Sequence, residues 1–198
     1  MDENGTINGS MNIIYKNLDA LTGRKVFNSL NEESVIKRIE SLYKPIEIEK
    51  IRLNNKRNLE KPFAITVKYS ADNQTEKINK KIYFSPLFFL GAKENIFKLE
   101  ERNYPIDYGA AWMENKEVII QVPQGYKVEK TPENITIETE NNVADFSYET
   151  MLKGDKIVVK VSTKINFPVI PFNFYKELKD FYTKRILKEK EKIVLVKE

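Results

Sequence analysis

The residues able to do chemistry in this 198-residue sequence are acids, tyrosines, lysines and six arginines, because cysteine and histidine are both absent. Without Cys there is no thiolate nucleophile, no disulfide and no Cys-ligated zinc or iron–sulfur site. Without His the usual general base near neutral pH and the usual transition-metal ligand are missing. A Ser-His-Asp or Cys-His relay cannot be assembled from these residues. Carboxylates remain. Glycoside hydrolysis needs two of them at a set separation across a sugar, and Glu100 and Glu101 are candidates for half of such a pair. Neighbours on an extended strand point to opposite faces, so these two cannot both face one substrate there. The reading is a chain that is not an enzyme, with no catalytic residue, no metal and no cofactor.

The densest mixture of aromatic and charged side chains runs from Tyr83 to Trp112, the only tryptophan. Arg102, Tyr104, Asp107, Tyr108 and Trp112 form the candidate cluster. One reading makes Trp112, Tyr104 and Tyr108 platforms for a peptide or glycan. The other makes the stretch an irregular connection pinned by buried aromatics and an Arg102–carboxylate pair, since aromatic clusters are usually core. On that reading Arg102 and Asp107 are structural anchors.

Charge gives little direction. Thirty-three bases against 29 acids leave +4, and the bases are mainly Lys, which reads phosphates and bases less well than Arg. No nucleic-acid partner is expected. Residues 176–198 hold most of the excess, but the signs alternate, which predicts a solvated helix face with pairs such as Lys176–Asp180. Sequons at Asn4, Asn8, Asn73 and Asn134 are expected by chance in so Asn-rich a chain. No run approaches the ~20 apolar residues of a membrane span, and the polar N-terminus does not read as a signal peptide.

The elements that must position these residues follow from periodicity. Ser29 to Tyr43 reads as a helix, with a Ser29–Glu32 capping box or Asn31 as the cap, and with Val35, Ile36, Ile39, Leu42 and Tyr43 on one face. A second helix is predicted over about 172–192. Elsewhere the period is two: Thr6–Lys16, Phe63–Ser70, Ile78–Phe84, Val118–Val122, Ile135–Ile137, Val143–Thr150, Lys156–Ile165 and Ile193–Val196. Turns at Pro123-Gln124-Gly125, Asn141-Asn142 and Lys153-Gly154-Asp155 separate strands. The expected fold is mainly β, an antiparallel Ig-like β-sandwich with two α-helices at about 29–43 and 172–192. It is read as a single domain over 1–198, with a possible sub-lobe at 1–75. Asn4-Gly5, a hairpin signal with no first strand before it, suggests excision from a larger protein.

Ordered segments carry a resemblance: Tyr83-Phe84-Ser85-Pro86-Leu87, Lys93-Glu94-Asn95-Ile96-Phe97-Lys98, Glu101-Arg102-Asn103-Tyr104-Pro105-Ile106-Asp107-Tyr108, Val122-Pro123-Gln124-Gly125-Tyr126-Lys127-Val128-Glu129, Phe146-Ser147-Tyr148, Leu178-Lys179-Asp180-Phe181-Tyr182 and Ile193-Val194-Leu195. In this order they resemble the C-terminal domain of unknown function that follows the transglutaminase-like core of bacterial envelope proteins. The resemblance covers about residues 80–198 well and the first third loosely; Ser85 stands where such domains often have Asn. It implies a non-catalytic accessory role, packing on that core or aiding its substrate binding, in the periplasm or cell envelope. The partner it implies is the core of the parent chain. The alternative is a stand-alone peptide- or glycan-binding module of the envelope.

Overall fold

The computed structural model describes residue 1 and residues 5–198. The Asn4 half of the expected Asn4-Gly5 turn lies outside the described residues. The chain divides into two compact units, Met1–Gln74 and Thr75–Glu198. Both are built on antiparallel sheets, and the protein is mainly β with helices.

The first unit runs strand, helix, helix, strand, strand. Strand β1 (Ile7–Tyr15) is followed by α1 (Asn17–Asn28), α2 (Glu32–Leu42), β2 (Glu47–Asn54) and β3 (Phe63–Ala71). The sheet order is β1-β3-β2. One face of β3 is closed, with Phe63, Ile65 and Val67 fully buried.

The helix α1 is absent from the sequence reading. Its buried stripe is Ala20, Gly23, Arg24 and Phe27, while Leu18 and Leu21 face solvent. The spacing is helical, but a stripe containing glycine and arginine carries no hydrophobic signal. Tertiary contacts explain both residues. A Cβ on Gly23 would come within 2.9 Å of Phe63 Cδ1, so only glycine admits that close approach. Arg24 donates from Nε to the Asn55 carbonyl at 3.1 Å and from Nη2 to the Asn58 and Lys61 carbonyls. It thereby holds the whole β2–β3 connection.

For α2 the structure selects Asn31 as the cap, its Oδ1 accepting the Ser34 N–H at 2.9 Å. Ser29 instead donates its hydroxyl to the Val26 carbonyl at the end of α1.

The second unit contains β4 (Glu76–Ile78), β5 (Lys81–Phe84), β6 (Ile106–Asp107), β7 (Trp112–Gln121), β8 (Tyr126–Lys130), β9 (Ile135–Glu138), β10 (Ala144–Lys153), β11 (Lys156–Ile165), β12 (Val169–Ile170), α3 (Tyr175–Glu189) and β13 (Ile193–Lys197). Its strands form two four-stranded sheets, β7-β11-β10-β9 and β4-β5-β13-β8, and a small β12-β6 ribbon. The expected turns are present, with Gly125, Asn142 and Gly154 at positive φ.

Helix α3 covers one face of the first of these sheets, against β10 and β9. Its buried side includes Leu178, Phe181 and Ile186, and the strands answer with Phe146, Tyr148, Val159 and Val161. The expected solvated face is corrected in part: the charged Arg185, Lys188 and Glu189 are buried as well. Glu189 accepts from Arg185 Nε at 2.8 Å and from the Ala92 N–H at 2.6 Å. Arg185 also reaches Glu114 at 3.5 Å. The predicted Lys176–Asp180 pair is not among the ion pairs of the described residues; the helix's buried pair is Arg185–Glu189, also four residues apart.

Candidate functional site

The long connection from Ser85 to Pro105 is strapped to α3. Asn95 Nδ2 donates to the Lys179 carbonyl at 2.8 Å and to Thr183 Oγ1 at 2.9 Å. The Phe97 ring stands edge-on to Tyr175 and Tyr182, with centroids 5.5 and 5.1 Å away. Tyr175 Oη and Lys179 Nζ both donate to the Leu99 carbonyl at 2.8 Å. Backbone that would otherwise be loose is thus paired through side chains of one helix, as burial demands.

The predicted cluster lies at the end of this strap. Arg102 donates to the main-chain carbonyls of Tyr104 at 2.9 Å and Pro105 at 3.2 Å. The Arg102–carboxylate pair expected from sequence is therefore not the one formed; the guanidinium closes its own turn instead. Asp107 on β6 accepts the Gly109 N–H at 2.7 Å, fixing a glycine at φ 73°. Tyr108 and Trp112 are brought together, edge to face at 6.2 Å, and the Tyr108 hydroxyl faces that of Tyr182 at 3.4 Å. Tyr104 is 77 % exposed, apart from that pair. Glu100 binds Lys179 at 3.3 Å and Glu101 is exposed. Neither carboxylate belongs to a strand.

A concavity does exist elsewhere, on the face of β7-β11-β10-β9 turned away from α3. It is shallow, about 360 Å³, and is lined by Asn115, Glu117, Ser147, Glu149, Lys160 and Ser162. Strand register explains its shape. Asn115, Ser162, Ser147 and Thr136 stand opposite one another across the four strands, forming a row of small hydroxyl and amide groups. The next row is Glu117, Lys160 and Glu149, and on the other side stand Met113, Lys164, Asp145 and Glu138. Short side chains make a floor and long ones make walls, so the trough runs across the strands. Lys160 and Glu117 pair at 3.3 Å. The trough offers hydroxyls, an amide and both signs of charge. Met113 adds one exposed apolar side chain at its rim, and the trough suits a mainly polar chain lying across the sheet.

Single strands betray only which residues alternate outward. The alignment of Ser147 with Ser162 and Asn115 comes from the pairing register, which is why sequence reasoning missed the trough. Among the described residues no three carboxylates converge to hold a metal ion, and no helix is long and apolar enough to cross a membrane.

A family model described as a Domain of Unknown Function with solved-structure structure (DUF3858) matches residues 80–195. The chain belongs to this family. No curated protein and no solved structure matches the chain. The DUF3858 match falls within Thr75–Glu198, so α3, its strap and the trough are parts of the family's domain, while Met1–Gln74 lies outside the match. Within the matched residues, Asn95, Phe97 and Tyr182 clamp the Ser85–Pro105 connection onto α3.

Behind the trough, on the α3 side, burial strongly affects tyrosines. Tyr148 is fully buried beneath Lys188, whose Nζ lies 5.5 Å from the ring centroid. The hydroxyls of Tyr148 and Thr150 are buried without a partner of hydrogen-bond geometry. Burial pushes the Tyr148 hydroxyl up to about 12, with the nearby Thr150 hydroxyl pulling weakly the other way. Burial also raises Tyr108 and Tyr182. A phenol whose folded pKa exceeds its unfolded value of about 10 ionises first in the unfolded chain. Its stabilising contribution is complete below pH about 10 and is lost as pH climbs toward the folded value. Urea unfolding followed by Trp112 fluorescence should show stability falling above pH about 10. Tyr148→Phe should reduce that fall. At pH 7 it should be neutral or stabilising by about 1 kcal/mol, because it removes an unsatisfied buried hydroxyl.

Proposed function

We propose that this DUF3858 domain is a non-catalytic accessory module of a transglutaminase-like parent protein of the bacterial envelope, packing on the core or helping to hold its substrate. The observation that carries this reading is the asymmetry of β7-β11-β10-β9. One face is sealed by α3, and the other is open and concave, with hydroxyls, an amide and both signs of charge along it. An open trough on a helix-backed sheet is a surface suited to binding. The absence of Cys and His from the sequence supports binding over catalysis.

The test fills the trough. Ser162 is half-buried on its floor, and Ser162→Trp puts an indole there without disturbing the α3 side. The separately expressed transglutaminase-like core should bind the unaltered chain and bind the variant at least about tenfold more weakly, the cost of obstructing a contact centre. A core that ignores the chain, or binds both forms alike, removes the reading.

The same trough supports one other reading, a stand-alone peptide or glycan binder. Its floor hydroxyls and flanking carboxylates are groups that pair with sugar hydroxyls or a polar main chain. Amide shifts confined to β7, β10 and β11 on adding envelope glycan fragments, with no core present, would favour it.

A further inference from the structure

The second face of the first unit's sheet is also open, and its charges are placed differently. Lys68 on β3 stands directly opposite Lys50 on β2. Arg52 follows two residues along β2, opposite Thr66. On the other flank, Ser10 and Asn12 of β1 face Lys68 and Thr66. All three cations are exposed, and among the described residues none has an ion pair or hydrogen bond. The acids of β2 do not relieve them: Glu47 lies at the strand's end opposite Ser70, and Glu49 falls in the bulge between Ile48 and Lys50.

Like charges directly opposite on a ladder destabilise it. Here that cost falls at the centre of a three-stranded sheet, among small neutral side chains, and no ion pair among the described residues offsets it. We infer that this face is a docking surface for an acidic polypeptide segment, whose carboxylates supply the missing counter-charges. The spacing fits. Alternate residues of an extended strand repeat every ~6.6 Å, the spacing of Lys50 and Arg52, and neighbouring strands lie ~4.8 Å apart, the spacing of Lys50 and Lys68. Single-stranded nucleic acid fits less well, since the face carries no aromatic side chain on which a base could stack. This inference stands apart from the trough and concerns residues outside the family match.

The test uses the full chain and a labelled poly-glutamate peptide, with inorganic polyphosphate as a second arm. A triple variant, Lys50→Gln, Arg52→Gln and Lys68→Gln, is compared with a charge-matched control at exposed lysines outside both faces, Lys153→Gln, Lys156→Gln and Lys184→Gln. At low salt the first triple should weaken poly-glutamate binding roughly tenfold or more, and the control less than about twofold. Because the substitutions relieve like-charge opposition, the melting temperature of the first triple should stay level or rise. Equal weakening by both triples would mean only net charge is sensed, and overturns the inference. So does an unaltered chain that ignores poly-glutamate, or one that takes polyphosphate more tightly through these same residues.

Discussion

Replacing Glu189 by alanine should cost about 3–5 kcal/mol of stability, the penalty for leaving a buried charge without its partner. Glu189 is 1 % exposed and Arg185 6 %. One Glu189 oxygen takes the Arg185 Nε–H at 2.8 Å, and the other takes the Ala92 N–H at 2.6 Å. The substitution strands both donors in a site that water does not reach. Glu114 compensates poorly, because it lies 3.5 Å from Arg185 and is already held by Lys116 at 3.0 Å. Urea unfolding monitored by Trp112 would give the loss. A cost under about 1 kcal/mol would mean the pair is solvated and the buried network does not exist. The reverse design is informative as well. Arg185→Met with Glu189→Leu removes both charges and should recover most of the loss, since a buried pair replaced by apolar groups of similar volume is often neutral. The Ala92 N–H would still lack an acceptor, so recovery should fall short by about 1–3 kcal/mol.

Phe63→Ala should cost a similar amount, about 3–5 kcal/mol, in the first unit. Phe63 is fully buried. Its ring stacks on Tyr15 and on Phe27, both with centroids 5.9 Å away. The Arg24 guanidinium lies 6.0 Å from its centroid, and Gly23 is pressed against its edge. Four contacts end in one ring, so collapse of the surroundings cannot fill the cavity. Hydrogen exchange of the β3 amides should accelerate in proportion to the lost stability. Protection unchanged from the parent chain would show that the ring is peripheral to that core. Arg24 should feel the change too, because the ring that flanks its guanidinium is gone; exchange in the 55–62 connection should therefore rise with that of β3.

How far these features could be read in advance depends on their range. Local periodicity was sufficient for β1, β3, β10, β11 and β13, because alternation follows directly from the pleat. The helix after Asn31 was legible for a similar reason: its cap and its stripe lie within one short segment. Turns at Gly125 and Gly154 were legible because positive φ selects few residue types. The helix α1 was not, since Gly23 and Arg24 make sense only once Phe63 and the carbonyls of Asn55, Asn58 and Lys61 surround them. The cluster around Arg102 was visible as composition, yet its partners were not. A guanidinium satisfied by main-chain carbonyls leaves no carboxylate signature in the sequence.

The two open faces mark the same boundary. Each strand's sequence determined which residues point outward: Ser147 and Glu149 on β10, Ser162 and Lys160 on β11; on β2 the bulge at Glu49 hides this. Composition alone also determined that no thiol or imidazole chemistry is available. Only the tertiary structure decided that the serines align into a floor, that Lys50 and Lys68 stand opposed, and that α3 buries Arg185 and Glu189 as a pair. Outward direction is a property of one strand and its pleat. Alignment belongs to two strands at once, and it is set by strand register and by which face the helices seal, quantities that no single segment contains.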